Sequence, residues 1–240
     1  MMLYTDELVP GDPLKPCIAR KMYVWYFSFA EFGRENLFRD EVWLMPLVAR
    51  TRDLARIEAG ISALTRHLLR AFFVDQPDNF TNRVTLILGG RPILIHAKLR
   101  HVVADEAALK AVYHIKGASG LKPCVKCQNV FSRTSNLAGN GRITIACSDV
   151  SQFKPATDQD VWDAFDDLAA RSAMGLTKKR FGQLEKAAGL NFNPNALLAD
   201  AQLRSIITPV SMRTDDWAHI FFQSGIFQME LRLFLDRLKA

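Results

Sequence analysis

Apolar residues cluster first in the stretch RKMYVWYFSFAEFG, residues 20–33, which is rich in aromatic and β-branched side chains. After a polar break, DEVWLMPLVART, residues 40–51, repeats that character. Both read as long strands buried on at least one face, and a hairpin is the simplest connection between them. The aromatics of the first are expected in the core rather than on a base-stacking surface. Upstream, LYTDE is a brief apolar start ended by the breakers of VPGDPLKP, so Asp6 is expected at a strand end. Downstream, Ile57, Ile61, Leu64, Leu68 and Phe72 recur at steps of three and four, which predicts an amphipathic helix covering one sheet face despite Gly60. His67 beside that stripe is expected to pack rather than to bind a ligand.

The segment 82–117 reads as strand, glycine turn, strand, and a helix that opens around Asp105. A carboxylate there is favourable against the helix dipole whatever else it does. Residues 128–159 are polar, with Asn140-Gly141 as a turn signal and RITIAC as a short strand, and are expected to form an excursion. Two short helical patterns follow, DVWDAFDDLAARSAM and TKKRFGQLEKAAGL, the second ending at Gly189 as a C-terminal glycine should. Such a pair also has the outline of a helix-turn-helix. A longer helical pattern, started or interrupted near Gly225, closes the chain.

Composition narrows the class without naming a function. Hydrophobic residues at 49% and charged residues at 23% of 240 fit an ordinary globular protein and argue against disorder or a fibre. Asp6, Glu7 and Asp12 interrupt the apolar segment that a secretory signal would need, and the run Met22–Ala30, broken by Ser28, is about half a membrane span. The expectation is therefore a nuclear or cytoplasmic protein, not secreted and without a membrane partner. A net charge of +6 favours a polyanionic partner.

The stretch HIKGASGLKPCVKC, residues 114–127, invites three readings: phosphate cradle, metal knuckle or turn. Its glycines, Gly117 and Gly120, have two residues between them and Leu121 after them, which is the wrong spacing for a phosphate-binding loop. Cys124 and Cys127 can chelate one zinc ion, because two intervening residues let a tight turn aim both sulfurs inward. Cys147 is the best third ligand, and His114, Cys17 or His101 could supply the fourth. The alternative is a turn carrying two reduced thiols. A thioredoxin-like role fits less well, since that motif opens a helix directly after a strand.

Asp6, Asp105 and Asp216 share a setting at the ends of strands or the start of a helix. Two-metal phosphoryl chemistry needs carboxylates converging from separate elements on a pair of magnesium ions. Strand, hairpin, helix and strand, with acids on the first and fourth strands and a third from a late helix, is the layout of the ribonuclease H fold. The fold class expected is thus α/β: a ribonuclease H-like mixed sheet flanked by helices, with a cysteine-containing insertion and a helical C-terminal part. Its divisions are 1–115 and 156–240 for the core and 116–155 for the insertion.

The segments LYTDE, ADEAALKAVYHIKGASGLKPCVKCQN and TDDWAHIFFQSGIFQMEL resemble eukaryotic DDE transposases of the CACTA and Plavaka type. The resemblance implies Asp6 and Asp105 as the first two catalytic acids and the cysteine pair as the knuckle after the second. It implies Asp216 with His219 as an Asp-x-Met-His signature, with Asp216 or Glu230 completing the metal set; Ala218 stands where that signature has methionine. Implied with these are Mg2+ or Mn2+ at the acids, Zn2+ at the knuckle, and DNA as partner. The five residues before Asp6 leave no room for an upstream DNA-binding domain, so a fragment or element-derived copy is expected. The alternative is a non-catalytic, zinc-containing module that binds nucleic acid or protein.

Overall fold

The computed structural model of the chain describes residues 1–11, 17–132, 141–147, 149–215 and 226–238. A five-stranded sheet organises it: β1 (Met2–Leu8), β2 (Met22–Ser28), β3 (Leu44–Arg50), β6 (His101–Ala104) and β9 (Arg213–Asp215), in the order β3-β2-β1-β6-β9. β1, β2 and β3 pair antiparallel, whereas β6 lies parallel to β1 and β9 parallel to β6. The sheet is therefore mixed, with β1 at its centre.

β1 extends to Leu8, so Asp6 is an internal strand residue rather than the strand's last. The reason is that β2 gives Asp6, Glu7 and Leu8 the backbone partners Val24, Tyr23 and Met22. β3 also departs from expectation. Leu44, Met45 and Val48 are exposed, and Pro46 lies within the strand. An edge position explains both, because proline cannot donate to a ladder and one side of an edge strand needs no donor.

The helices are α1 (Thr51–Leu54), α2 (Gly60–Phe73), α3 (Glu106–Tyr113), α4 (Asp158–Ser172), α5 (Lys178–Ala188) and α6 (Ile226–Leu238). The expected helix over residues 54–73 breaks in two. Ala59 and Gly60 take positive φ of 61° and 48°, and α2 starts at Gly60 itself. Its apolar stripe, with Leu68, Leu69 and Phe73 buried, covers the face of the sheet that carries Leu3, Trp25 and Val102. Trp25 is fully buried, and its indole Nε1 donates to Thr65 Oγ1 of α2 at 2.9 Å. α3 joins the same layer. Buried Ser62 of α2 donates to the Val112 carbonyl at 2.7 Å and accepts from Leu197 N at 2.8 Å, linking three segments through one hydroxyl.

Strands β4 (Val84–Leu88) and β5 (Arg91–Ile95) are the expected hairpin, but they form a separate two-stranded sheet. Ile87, Ile93 and Leu94 are exposed on it. The excursion carries β7 (Val130–Phe131) paired parallel with β8 (Ile143–Thr144). Among the described residues no helix is long and apolar enough to cross a membrane.

Candidate functional site

Alternation along β1 turns Leu3 and Thr5 into the core and sends Tyr4 and Asp6 to the other face. The parallel register with β6 sets Tyr4 opposite Val103. The ladder ends at that pair; two residues further along each chain lie Asp6, still within β1, and Asp105, one residue past the end of β6. Asp105 has extended backbone, φ −65° and ψ 168°, and so carries the direction of β6 one residue further before α3 begins. Asp6, in β1, and Asp105, one residue beyond β6, thus lie towards the same end of two adjacent parallel strands.

Each carboxylate has local partners. Asp6 Oδ1 accepts from Glu7 N at 2.8 Å and Oδ2 from the Tyr4 hydroxyl at 3.2 Å. Asp105 Oδ1 accepts from Ala108 N at 2.6 Å and caps α3, the role that an acid at a helix N-terminus is expected to take. Tyr23, on β2, registers both charges: burial raises its phenol pKa to about 12, and the carboxylates of Glu7, Asp105 and Asp6 push in the same direction. Asp216 and His219 lie outside the described residues. Glu230 is exposed on α6, and among the described residues no hydrogen bond or ion pair joins it to Asp6 or Asp105.

Asp215, next to Asp216 in sequence, pairs with buried Ala104 and so points to the helix-covered face, opposite to Asp6. Burial alone would raise its pKa, but Lys126 and Arg213 outweigh that and hold the carboxyl below its ordinary range. Lys126 Nζ lies 2.6 Å from Asp215 Oδ2, and Arg213 donates to Oδ1 at 2.8 and 3.0 Å. Asp215 with Asp216 reads from sequence as a pair of acids at a helix N-terminus, whereas Asp215 lies in β9, and no pattern marks Lys126 as its partner. Lys126 does lie inside the Cys-x-x-Cys spacing, and that was the one available signal.

Cys124 and Cys127 lie side by side, both half-buried, and the Cys127 thiol pKa is raised by burial and by its neighbour Cys124. The ligand set drawn around them from sequence does not assemble. Cys147 hydrogen-bonds the Asp149 carbonyl at 3.7 Å. His114, in left-handed backbone at the end of α3, has its two ring nitrogens 3.3 Å from the carbonyls of Asn191 and Ala59. Both carbonyls belong to segments far from His114 in sequence, so contacts between distant parts of the chain position that ring. Among the described residues, no three His, Cys, Asp or Glu side chains are grouped closely enough to hold a metal ion.

Chemically, the arrangement offers two hard-oxygen acids at one sheet end and two thiols in a loop fastened beside β9 by Lys126. Comparison with known protein families, with curated proteins and with solved structures finds no match to this chain.

Proposed function

We propose that the chain is a ribonuclease H-like, transposase-derived domain that acts on DNA phosphodiester bonds with two divalent metal ions, Mg2+ or Mn2+. The observation that carries this reading is the parallel pairing of β1 with β6, towards the shared end of which lie Asp6 and, one residue past β6, Asp105. The strand order, with three antiparallel strands followed by two parallel additions on the far side of β1, supports the same fold.

Asp6 and Asp105 suit such ions because carboxylate oxygens are the ligands that hard cations prefer. The bound ions would polarise the phosphate and activate the attacking oxygen. Within the chain, Tyr4 orients the Asp6 carboxylate through its hydroxyl, and the cap fixes the Asp105 carboxylate by one oxygen while leaving the second for a ligand. Asp216, His219 and Glu230 are proposed to complete the set, as the resemblance implies. Cys124 and Cys127 would contribute two thiolates to a zinc knuckle.

A second reading has its own support. Asp105 is already used as a helix cap, and Asp215 is neutralised by two cations, as suits a non-catalytic module of the same fold that binds nucleic acid or protein. Metal-dependent nicking of supercoiled DNA separates the two. The catalytic reading expects nicking with Mg2+ or Mn2+ that is lost in Asp6→Asn and Asp105→Asn; undiminished nicking in both variants overturns it.

A further inference from the structure

Helices α4 and α5 are neighbours of opposite charge, and the two charges are handled differently. α4 carries five aspartates, each with a partner. Asp158 accepts from Val210 N and Ser211, Asp160 closes the capping box with Thr157, and Asp163 accepts from Gln159. Asp166 pairs with Arg204 and Asp167 with Arg171.

α5 reads KKRFGQLEKAA. Its single acid, Glu185, is turned inward, 3.2 Å from Lys116 Nζ and accepting from Phe192 N at 2.8 Å. Lys178, Lys179, Arg180 and Lys186 are exposed, and among the described residues none of the four has an ion-pair partner. The Arg180 guanidinium donates to Gln183 Oε1 at 3.4 Å.

Two features make that charge costly for the helix itself. Lys178, Lys179 and Arg180 occupy the first turn, where the helix dipole favours acids and disfavours cations by roughly 0.3–1 kcal/mol each at low salt. Gly182, in the same row as Lys178 and Lys186, costs about 1 kcal/mol relative to alanine, yet a Cβ there would meet nothing within 4 Å. Helix stability and packing therefore explain neither the cations nor the glycine. A polyanion explains both, since the lysines would neutralise phosphates and the bare glycine would let a backbone approach closely.

The helix is also tied to the candidate site. Leu121 N donates to the Lys186 carbonyl at 2.8 Å, and the loop running on from Leu121 holds Asp215 through Lys126.

We infer that the outer face of α5 is a nucleic-acid-binding surface, on which Lys178, Lys179, Arg180 and Lys186 contact the phosphate backbone. The choice of nucleic acid as the polyanion rests on the function proposed above; the surface itself does not depend on the acids. An anionic membrane fits less well, because Phe181, Leu184 and Ala188 are committed to the core and the helix has no apolar face left to insert.

The test is binding of a fluorescent duplex DNA across a salt series in EDTA, where cleavage cannot occur. Each phosphate contact steepens the dependence of log K on log salt by roughly 0.9, so replacing all four cations with alanine should flatten the slope by about 3.6 and weaken binding at low salt. Replacing the three lysines with arginine should preserve the slope, and the alanine protein should melt no lower than the parent, since unfavourable first-turn charges have gone. An unchanged slope in the alanine variant, or α5-dependent binding to phosphatidylserine vesicles with none to DNA, overturns the inference. Nicking lost in Asp6→Asn with its salt slope intact would show the acids and this surface to be separate, so either reading can fail alone.

Discussion

Lys126, between the two cysteines of the 124–127 loop, forms an ion pair with Asp215 of β9, Nζ to Oδ2 2.6 Å, across 89 residues of chain. This contact fastens the loop to the last strand of the sheet. Because the pairing depresses the Asp215 pKa below its unfolded value, its stabilisation is present above about pH 4 and is lost as pH falls through the folded value. Lys126→Met should therefore cost about 1 kcal/mol or less at pH 7, a modest effect because the pair is partly exposed and Arg213 remains. Urea unfolding of both proteins should show the difference shrinking towards pH 2; a difference that stays constant with pH would assign the loss to packing.

Asp105 combines a structural and a proposed chemical role, and two substitutions separate them. Asparagine keeps an oxygen that can accept from Ala108 N, whereas alanine removes the cap at a cost of about 1 kcal/mol. Thermal melts should place Asp105→Asn close to the parent and Asp105→Ala below it, while both lose metal-dependent nicking. Full nicking by Asp105→Asn would reduce the residue to a cap.

Tyr23 offers a spectroscopic reading of the acids. Its phenol pKa is pushed up to about 12, chiefly by burial and then by the carboxylates of Glu7, Asp105 and Asp6. Tyrosinate absorbance, taken as the difference from Tyr23→Phe, should shift downward in Asp6→Asn and in Asp105→Asn without reaching the ordinary value near 10. The same burial makes stability fall as pH rises from about 10 through the folded value, because the unfolded phenol ionises first. No shift in either variant would mean that the two charges do not converge on Tyr23.

Gly189 ends α5 in left-handed backbone at φ 75°, and a Cβ there would come within 2.3 Å of the Lys122 carbonyl oxygen. Gly189→Ala should cost about 2 kcal/mol or more, combining the backbone penalty with displacement of the loop before Cys124. Chemical denaturation measures it. Retention of parental stability would show that the loop moves freely away from the helix.

The local grammar of the chain was readable where neighbouring residues decide the outcome. Asp105 at the opening of α3 and Gly189 at the close of α5 follow from cap chemistry acting over one turn. The β2–β3 hairpin follows from two apolar strands separated by a polar break. Less readable was which face each aromatic would take. Trp25 and Phe27 are buried as expected, but Tyr26, between them, lies with Tyr4 on the other face, their rings 6.4 Å apart. A run of apolar residues does not record which of its two sides a helix will cover.

The sequence by itself determined the opening of α3 at Asp105, the close of α5 at Gly189, and the candidacy of Asp6, Asp105 and the cysteine pair, because each depends on residues within a turn or two. Only the tertiary structure decided that β6 lies parallel to β1, that β4 and β5 leave the main sheet, that Lys126 meets Asp215, and that Cys147 and His114 are held away from the cysteine pair. Those outcomes depend on register and on which buried faces meet. They are set by packing between segments distant in the chain, which leaves no periodic trace in the residues that take part.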